Sequence, residues 1–252
     1  MASNLNIYLF NVRGLAEKSK RNTIFQHLKK THKGILFLQE THSTVSVERK
    51  WKGEFGGEIF YSHGTSGSKG VETLVPKYIN FDVHTTISDP DGRFILLEAN
   101  INQETYVLCN VYAPTKDKVL DQQRVLEKLK NVIENFSDKN LIIGGDFNCC
   151  LDPLIDKRGG KIESVSWDMQ TFISDLDLCD IWRVRNPNIQ RFTHRQTTKS
   201  GVVFSRIDLF LISIHISYNV QDCDIHLGTH SDHSIIELYL HKNLNIDRGK
   251  GF

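Results

Sequence analysis

Residues 71–114 read VETLVPKYINFDVHTTISDPDGRFILLEANINQETYVLCNVYAP, and this stretch decides the fold class. It is strand after strand: Val71 to Val75, Ile79 to Thr86, Phe94 to Ile101 and Tyr106 to Val111. The connections are too short for crossover helices, so these strands are expected to pair antiparallel. Upstream, Leu5 to Val12 alternates apolar and polar residues before Gly14. A helical stretch from about Glu17 to Lys30 and the short strand Ile35 to Leu38 follow. Downstream, Leu126, Leu129, Ile133 and Phe136 share one face of a helix over Leu120 to Phe136, and Lys139 to Gly144 opens another buried strand. Ser166 to Leu176 reads as a helix, Ile207 to Ile212 and Ser234 to Leu240 as strands, and the region from Tyr218 to His230 has no clear pattern. Helices and strands alternate without a linker before about Asn243. This predicts one α/β domain over 1–242, built on mixed or antiparallel sheets, with 243–252 as a polar linker toward a downstream domain.

The 252 residues are 39% hydrophobic, enough for a substantial core. No run approaches the ~20 uninterrupted apolar residues of a membrane span, and no secretory leader is visible, so the expectation is a soluble, intracellular protein with no membrane partner. The five cysteines, Cys109, Cys149, Cys150, Cys179 and Cys223, are odd in number and lie in or beside apolar runs, which suits reduced thiols. Net charge is only +1, but its distribution is uneven. Arg13, Lys18, Lys20, Arg21, Lys29, Lys30 and Lys33 are accompanied only by Glu17. Arg183, Arg185, Arg191, Arg195, Lys199 and Arg206 have no acidic residue between them. Such segregated charge can track a phosphate backbone, although a solvated helix face explains the first cluster equally well. Thr193 to Ser205, polar and containing Gly201, reads as a hairpin protruding toward a ligand.

Polar residues at the ends of apolar strands carry the functional signal, because a strand fixes their position while the following loop admits substrate. Asn11, Glu40, Tyr112, Asp146 and Asn148 follow strands, whereas Asp208, Asp232 and His233 open or precede them. Phosphodiester cleavage needs a cation, an oriented water, donors to the nonbridging oxygens and help for the leaving oxygen. Glu40 is a hard oxygen ligand suited to Mg²⁺, and Asp146 can orient or deprotonate the water. Asn11, Asn148 and Tyr112 are uncharged donors, and Asp208 is a candidate to orient His233.

The segments Asn11 to Leu15 (NVRGL), Gln39 to Thr41 (QET), Asn110 to Pro114 (NVYAP), Gly145 to Asn148 (GDFN), Arg206 to Asp208 (RID) and Ser231 to His233 (SDH) resemble, in order, the motifs of the exonuclease–endonuclease–phosphatase superfamily. Tyrosine in NVYAP, Ser205 before RID, and the tail Arg248 to Phe252 (RGKGF) make the chain similar to the endonuclease of a LINE-type (non-LTR) retrotransposon, in the apurinic-endonuclease-like branch. The resemblance implies a four-layer α/β/β/α sandwich of two mixed, largely antiparallel sheets with helices outside, like deoxyribonuclease I. It assigns Glu40 to the metal, with Asn11 and Asp232 near it, and Mg²⁺ as the ion, for which Mn²⁺ can substitute. Asp146 would handle the water, Asn148 and Tyr112 the phosphate, and Asp208 would pair with His233.

The implied reaction nicks double-stranded DNA in the nucleus and leaves a 3′-hydroxyl for a reverse transcriptase fused downstream. The hairpin would enter the minor groove, with Thr193, Ser205 and Arg206 nearest the DNA and Arg13, Arg195 and Lys199 as further contacts. One departure stands out: Glu72 falls in VETL where the family commonly has a small apolar residue, which calls for a partner, a sheet edge or the metal nearby. The rival readings are an abasic-site repair endonuclease, a non-DNA phosphodiesterase, a non-catalytic DNA-binding module, and a zinc site at Cys223, His230 and His233 that lacks a clear fourth ligand.

Overall fold

The computed structural model describes residues 4–115, 117–136, 139–161 and 166–241; the expected linker from 243 lies outside them. In chain order the first half comprises β1 (Leu5–Asn11), α1 (Lys18–Thr31), β2 (Ile35–Gln39), α2 (Glu48–Phe55), β3 (Glu58–Ser62), β4 (Val71–Val75), β5 (Phe81–Ser88), β6 (Phe94–Ile101) and β7 (Glu104–Tyr112). The second half comprises α3 (Val119–Ile133), β8 (Asn140–Asp146), β9 (Lys157–Arg158), α4 (Trp167–Asp175), β10 (Leu178–Asp180), α5 (Ile181–Arg185), β11 (His194–Thr198), β12 (Gly201–Ser205), β13 (Asp208–Ser213), β14 (Val220–His226) and β15 (Ile235–Leu240).

Period-two alternation builds the layers. In β1, Ile7 and Leu9 point into one core while Tyr8 and Phe10 point into another; in β2, Ile35 and Phe37 separate from Leu36 and Leu38 in the same way. The first sheet, in the order β14-β15-β1-β2-β4-β3, therefore packs its inner face on the second sheet, β10-β13-β8-β7-β6-β5, and its outer face on α1 and α2. The second sheet does likewise: Leu108, Ile142 and Phe210 face inward, and Cys109, Ile143 and Leu211 face α3 and α4. Each fully buried side chain of this kind stabilises the fold by about 1.5–3 kcal/mol. Gly144 lets the sheets approach closely, since a Cβ there would lie 2.8 Å from Phe37 of the facing sheet and 2.6 Å from Phe210 of its own.

Among the described residues, parallel pairs occur only where a helix supplies the crossover: β1 with β2 through α1, and β7 with β8 through α3. The β5-β6-β7 meander is antiparallel, as its short connections predict. Val71–Val75 is different. It pairs with β2 and β3, and the chain crosses to the opposite sheet over residues 76–80. Every residue of β4 is buried, as befits an interior strand covered on both faces, whereas β5 alternates between half-buried and exposed and forms a sheet edge. The unpatterned 218–230 region contains β14. The amphipathic α2, marked by Trp51 and Phe55 four residues apart, was not foreseen. Among the described residues no helix is long and apolar enough to cross a membrane.

Candidate active site

Strand direction gathers the polar residues at one end of the sandwich. The C-terminal ends of β1, β2, β7 and β8 carry Asn11, Glu40, Tyr112 and Asp146; β13 and β15 run the other way, so their N-terminal ends bring Asp208 and His233 to the same place. Asp146 is in register with both Tyr112 and Asp208.

A series of polar side chains runs between the two sheets. Asp208 accepts from His233 Nδ1 at 2.9 and 3.1 Å. His233 Nε2 lies 4.0 Å from Asp146 Oδ2. The Asn11 amide donates to Asp146 Oδ2 at 2.9 Å and to Glu40 Oε1 at 3.2 Å. The Asn148 backbone N–H donates to Asp146 Oδ1 at 2.9 Å, and its amide donates to the Ala113 carbonyl at 2.9 Å. Arg93 lies over the Tyr112 ring, 5.1 Å from its centroid. Burial disfavours charge on His233, but the Asp208 charge and hydrogen bond, then Asp146, outweigh it and raise the imidazole to about 9. Burial, then the Asp208 charge, push the Asp146 carboxyl well above the usual range, against the opposing pull of His233 and Asn11. Burial, then Glu40, also raise the Tyr112 phenol, which remains a neutral donor.

Glu40 and Asp232 offer hard oxygens that fit a divalent cation, and Asp232 Oδ1 is buried without a hydrogen-bond partner among the described residues. Asn11 Oδ1 accepts from Arg13 N at 3.0 Å and keeps a second lone pair, while its N–H group faces the Glu40 and Asp146 carboxylates. Two groups of donors lie close together, Asp146, Asp208 and His233 in one, and His194, Asp232 and His233 in the other.

His194 was missed in the sequence. Its ring lies tilted against His233, with centroids 4.5 Å and planes 35° apart, and Nε2 lies 3.7 Å from Asp232 Oδ2. Only the approach of β11 to the SDH segment, an isolated bridge between His194 and His233, places it there. Neither element alone signals the contact.

The hairpin is present as β11 and β12, with β9 alongside. Three of its expected DNA contacts are nevertheless buried. Thr193 Oγ1 accepts from the Ile207 and Asp208 N–H groups, each at 3.1 Å, and Ser205 Oγ faces His194 Nδ1 at 3.5 Å. Arg206 is 1% exposed; its Nε and Nη2 fork onto Asp156 at 2.7 and 2.8 Å, and Nη2 reaches Asp180 at 2.6 Å. These residues fix the hairpin base and do not line its surface. Much of the basic clustering is spent in the same way. Arg183 pairs with Asp156, Arg185 donates to the Val220 and Gln221 carbonyls, and buried Arg21 pairs with Glu54 at 2.6 Å. Arg195 and Lys199 remain exposed, and Arg13 is exposed while paired with Asp232 at 2.5 Å. The zinc alternative fails on geometry: Cys223 lies in the inter-sheet core, His230 is exposed and His233 Nδ1 is committed to Asp208.

A model of the endonuclease/exonuclease/phosphatase family matches residues 4–233. The chain belongs to that family. Among curated proteins it is 34% identical over 238 residues to the "Transposon TX1 uncharacterized 149 kDa protein" of Xenopus laevis, covering 93% of this chain but only 18% of that protein. The fold resembles that of the AP endonuclease LMAP from Leishmania major (TM-score 0.76, 16% identity, 95% of this chain and 88% of that one). It also resembles the APE2 catalytic domain from Xenopus laevis (TM-score 0.75, 18% identity, 96% and 94%) and an AP endonuclease from Archaeoglobus fulgidus (TM-score 0.71, 22% identity, 93% and 98%).

Proposed function

We propose that the chain is a divalent-metal-dependent endonuclease that nicks one strand of duplex DNA, acts in the nucleus as one domain of a LINE-type retrotransposon protein, and leaves a 3′-hydroxyl for target-primed reverse transcription. The observation that carries the chemistry is the gathering of Asp208, His233, Asp146, Asn11 and Glu40 at one end of the sandwich, hydrogen-bonded except for a 4.0 Å gap between His233 and Asp146. The likeness to a transposon protein supports the wider role.

Glu40 and Asp232 would hold Mg²⁺, or Mn²⁺ in its place. Bound there, the ion supplies Lewis-acid neutralisation of charge developing on the phosphate. Asp146, with its raised affinity for protons, takes a proton from water as the water oxygen bonds to phosphorus. His233, kept cationic by Asp208, donates from Nε2 to a nonbridging oxygen, and Asn148 and Tyr112 orient the phosphate. The phosphorus–O3′ bond breaks, and the departing O3′ takes a proton from solvent, leaving a 3′-hydroxyl and a 5′-phosphate. Exposed Arg195 and Lys199 on the hairpin suit backbone contacts in duplex DNA.

The test is conversion of supercoiled plasmid to open circle with Mg²⁺, with EDTA and with His233→Ala, followed by end-mapping. Metal- and His233-dependent nicks bearing 3′-hydroxyls on undamaged DNA are expected. Cutting confined to abasic sites would shift the reading to repair, and inactivity on both substrates would defeat it.

A further inference from the structure

Glu72 lies one residue inside the active-site end of β4, between Leu38 on β2 and Tyr61 on β3. It is fully buried, facing the helix-covered side of the first sheet, and neither carboxyl oxygen accepts a hydrogen bond among the described residues. Burial raises its pKa to about 8, against the opposing influence of the Ser43 and Thr41 hydroxyls, so the group is mainly neutral at neutral pH. It is thus neither at an edge nor ion-paired.

Those hydroxyls belong to the turn that presents Glu40. Glu40 (φ 50°) and His42 (φ 57°) both adopt the left-handed region, which is uncommon for residues with a Cβ, and Thr41 stands between them. Backbone bonds hold the turn on two sides: Gly14 N to Glu40 O at 2.6 Å, Leu15 N to Thr41 O at 3.0 Å, Thr41 N to Gly70 O at 3.0 Å and His42 N to Lys69 O at 2.9 Å.

A side-chain chain runs through the same turn. Thr41 Oγ1 donates to Ser43 Oγ at 3.3 Å, Ser43 Oγ meets His63 Nδ1 at 3.0 Å, and His63 Nε2 meets Glu48 Oε1 at 2.7 Å. Thr41 thus spends its one hydroxyl hydrogen on Ser43. Thr41 Oγ1 is then left as an acceptor. A neutral carboxyl can donate to it, whereas a carboxylate cannot.

We propose that Glu72 is a positioning residue for Glu40: its neutral carboxyl donates to Thr41 Oγ1, closes the chain that begins at Glu48, and fixes the left-handed turn that aims the Glu40 carboxylate at the cation. The inference rests on reading Glu40 as a metal ligand. Its donor requirement distinguishes it from simple core packing, because an amide satisfies it and a hydrocarbon of similar volume does not.

The experiment measures Mn²⁺ binding by the loss of the free-ion EPR signal, together with the Mg²⁺ dependence of nicking, for wild type, Glu72→Gln, Glu72→Leu, Thr41→Val and Glu40→Gln. Glu72→Leu and Thr41→Val are expected to weaken Mn²⁺ binding about 10-fold and to raise the Mg²⁺ concentration for half-maximal nicking in parallel. At saturating metal, kcat should stay within about twofold of wild type, and Glu72→Gln should bind like wild type. Wild-type Mn²⁺ affinity in a folded Glu72→Leu or Thr41→Val variant overturns the proposal, and so does a Glu72→Gln variant as weak as Glu72→Leu. Undiminished Mn²⁺ binding by Glu40→Gln would overturn the ligand reading itself, an outcome separate from the other two.

Discussion

Replacing Arg206 by alanine separates the two roles open to a basic residue at a hairpin base. The guanidinium is 1% exposed, forks onto fully buried Asp156 and reaches Asp180, while lying 5.2 Å from the centroid of the Trp182 ring. Removing one partner from a buried ionic network typically costs about 3–5 kcal/mol, because carboxylates are left without compensation. Asp156 retains Arg183 and Asp180 retains its cap bond from Arg183 N, so the lower end applies, about 3 kcal/mol. For a domain of this size that corresponds to a fall of roughly 6–12 °C in Tm. Differential scanning calorimetry measures the loss, and fluorescence anisotropy on a duplex at low temperature measures DNA affinity for the folded fraction. A large drop in Tm with near-normal affinity is the expected result. An unchanged Tm with a large loss of affinity would refute the structural assignment and return Arg206 to the DNA surface.

Three other perturbations probe the cleft. Asp208→Asn removes the charge that lifts His233 from 6.5 to about 9, a gap worth about 3 kcal/mol. In wild type this stabilisation is fully present below pH 6.5 and is lost as pH rises through about 9. The variant should therefore flatten the fall in stability over that interval and move the alkaline limb of the pH–rate profile downward; an unmoved limb would count against a cationic His233. His194→Ala should slow single-turnover nicking about 2- to 10-fold through loss of the ring contact on His233, with His194→Phe restoring most of the rate; equal defects in both would point to the imidazole's polar edge instead. Arg195→Ala and Lys199→Ala should each reduce the slope of log affinity against log salt by about 0.9, and an unchanged slope would mean that the hairpin does not meet phosphates.

What the sequence revealed and what it hid divide along a physical line. Asn11, Glu40, Tyr112, Asp146, Asp208 and His233 were legible because each abuts an apolar run, so local pattern places polar groups at the strand ends; that Asn11, Asp146, Asp208 and His233 are buried there was not legible. Strand identity was legible for the same reason. Pairing was not: β4 and β5 are separated by five residues, yet they enter different sheets, because what distinguishes them is burial on two faces rather than one, and VETLV does not announce that. Charge was the least legible property. Arg206 meets Asp156 and Asp180, which lie 50 and 26 residues away, so a basic run in one dimension becomes an internal ionic network in three.

That network changes how the hairpin relates to the chemistry. Arg195 N donates to Asp232 O at 3.1 Å and Ser234 N donates to Thr193 O at 2.6 Å, so β11 is stitched to the segment that carries His233. Thr193 Oγ1 accepts from Asp208 N, tying the same base to the partner of that imidazole. A force on the exposed tip at Lys199, such as docking in a groove of unsuitable width, has a short, hydrogen-bonded route to both members of the His233–Asp208 pair. Under the proposed function, groove geometry would therefore bear on the rate of the chemical step as well as on binding.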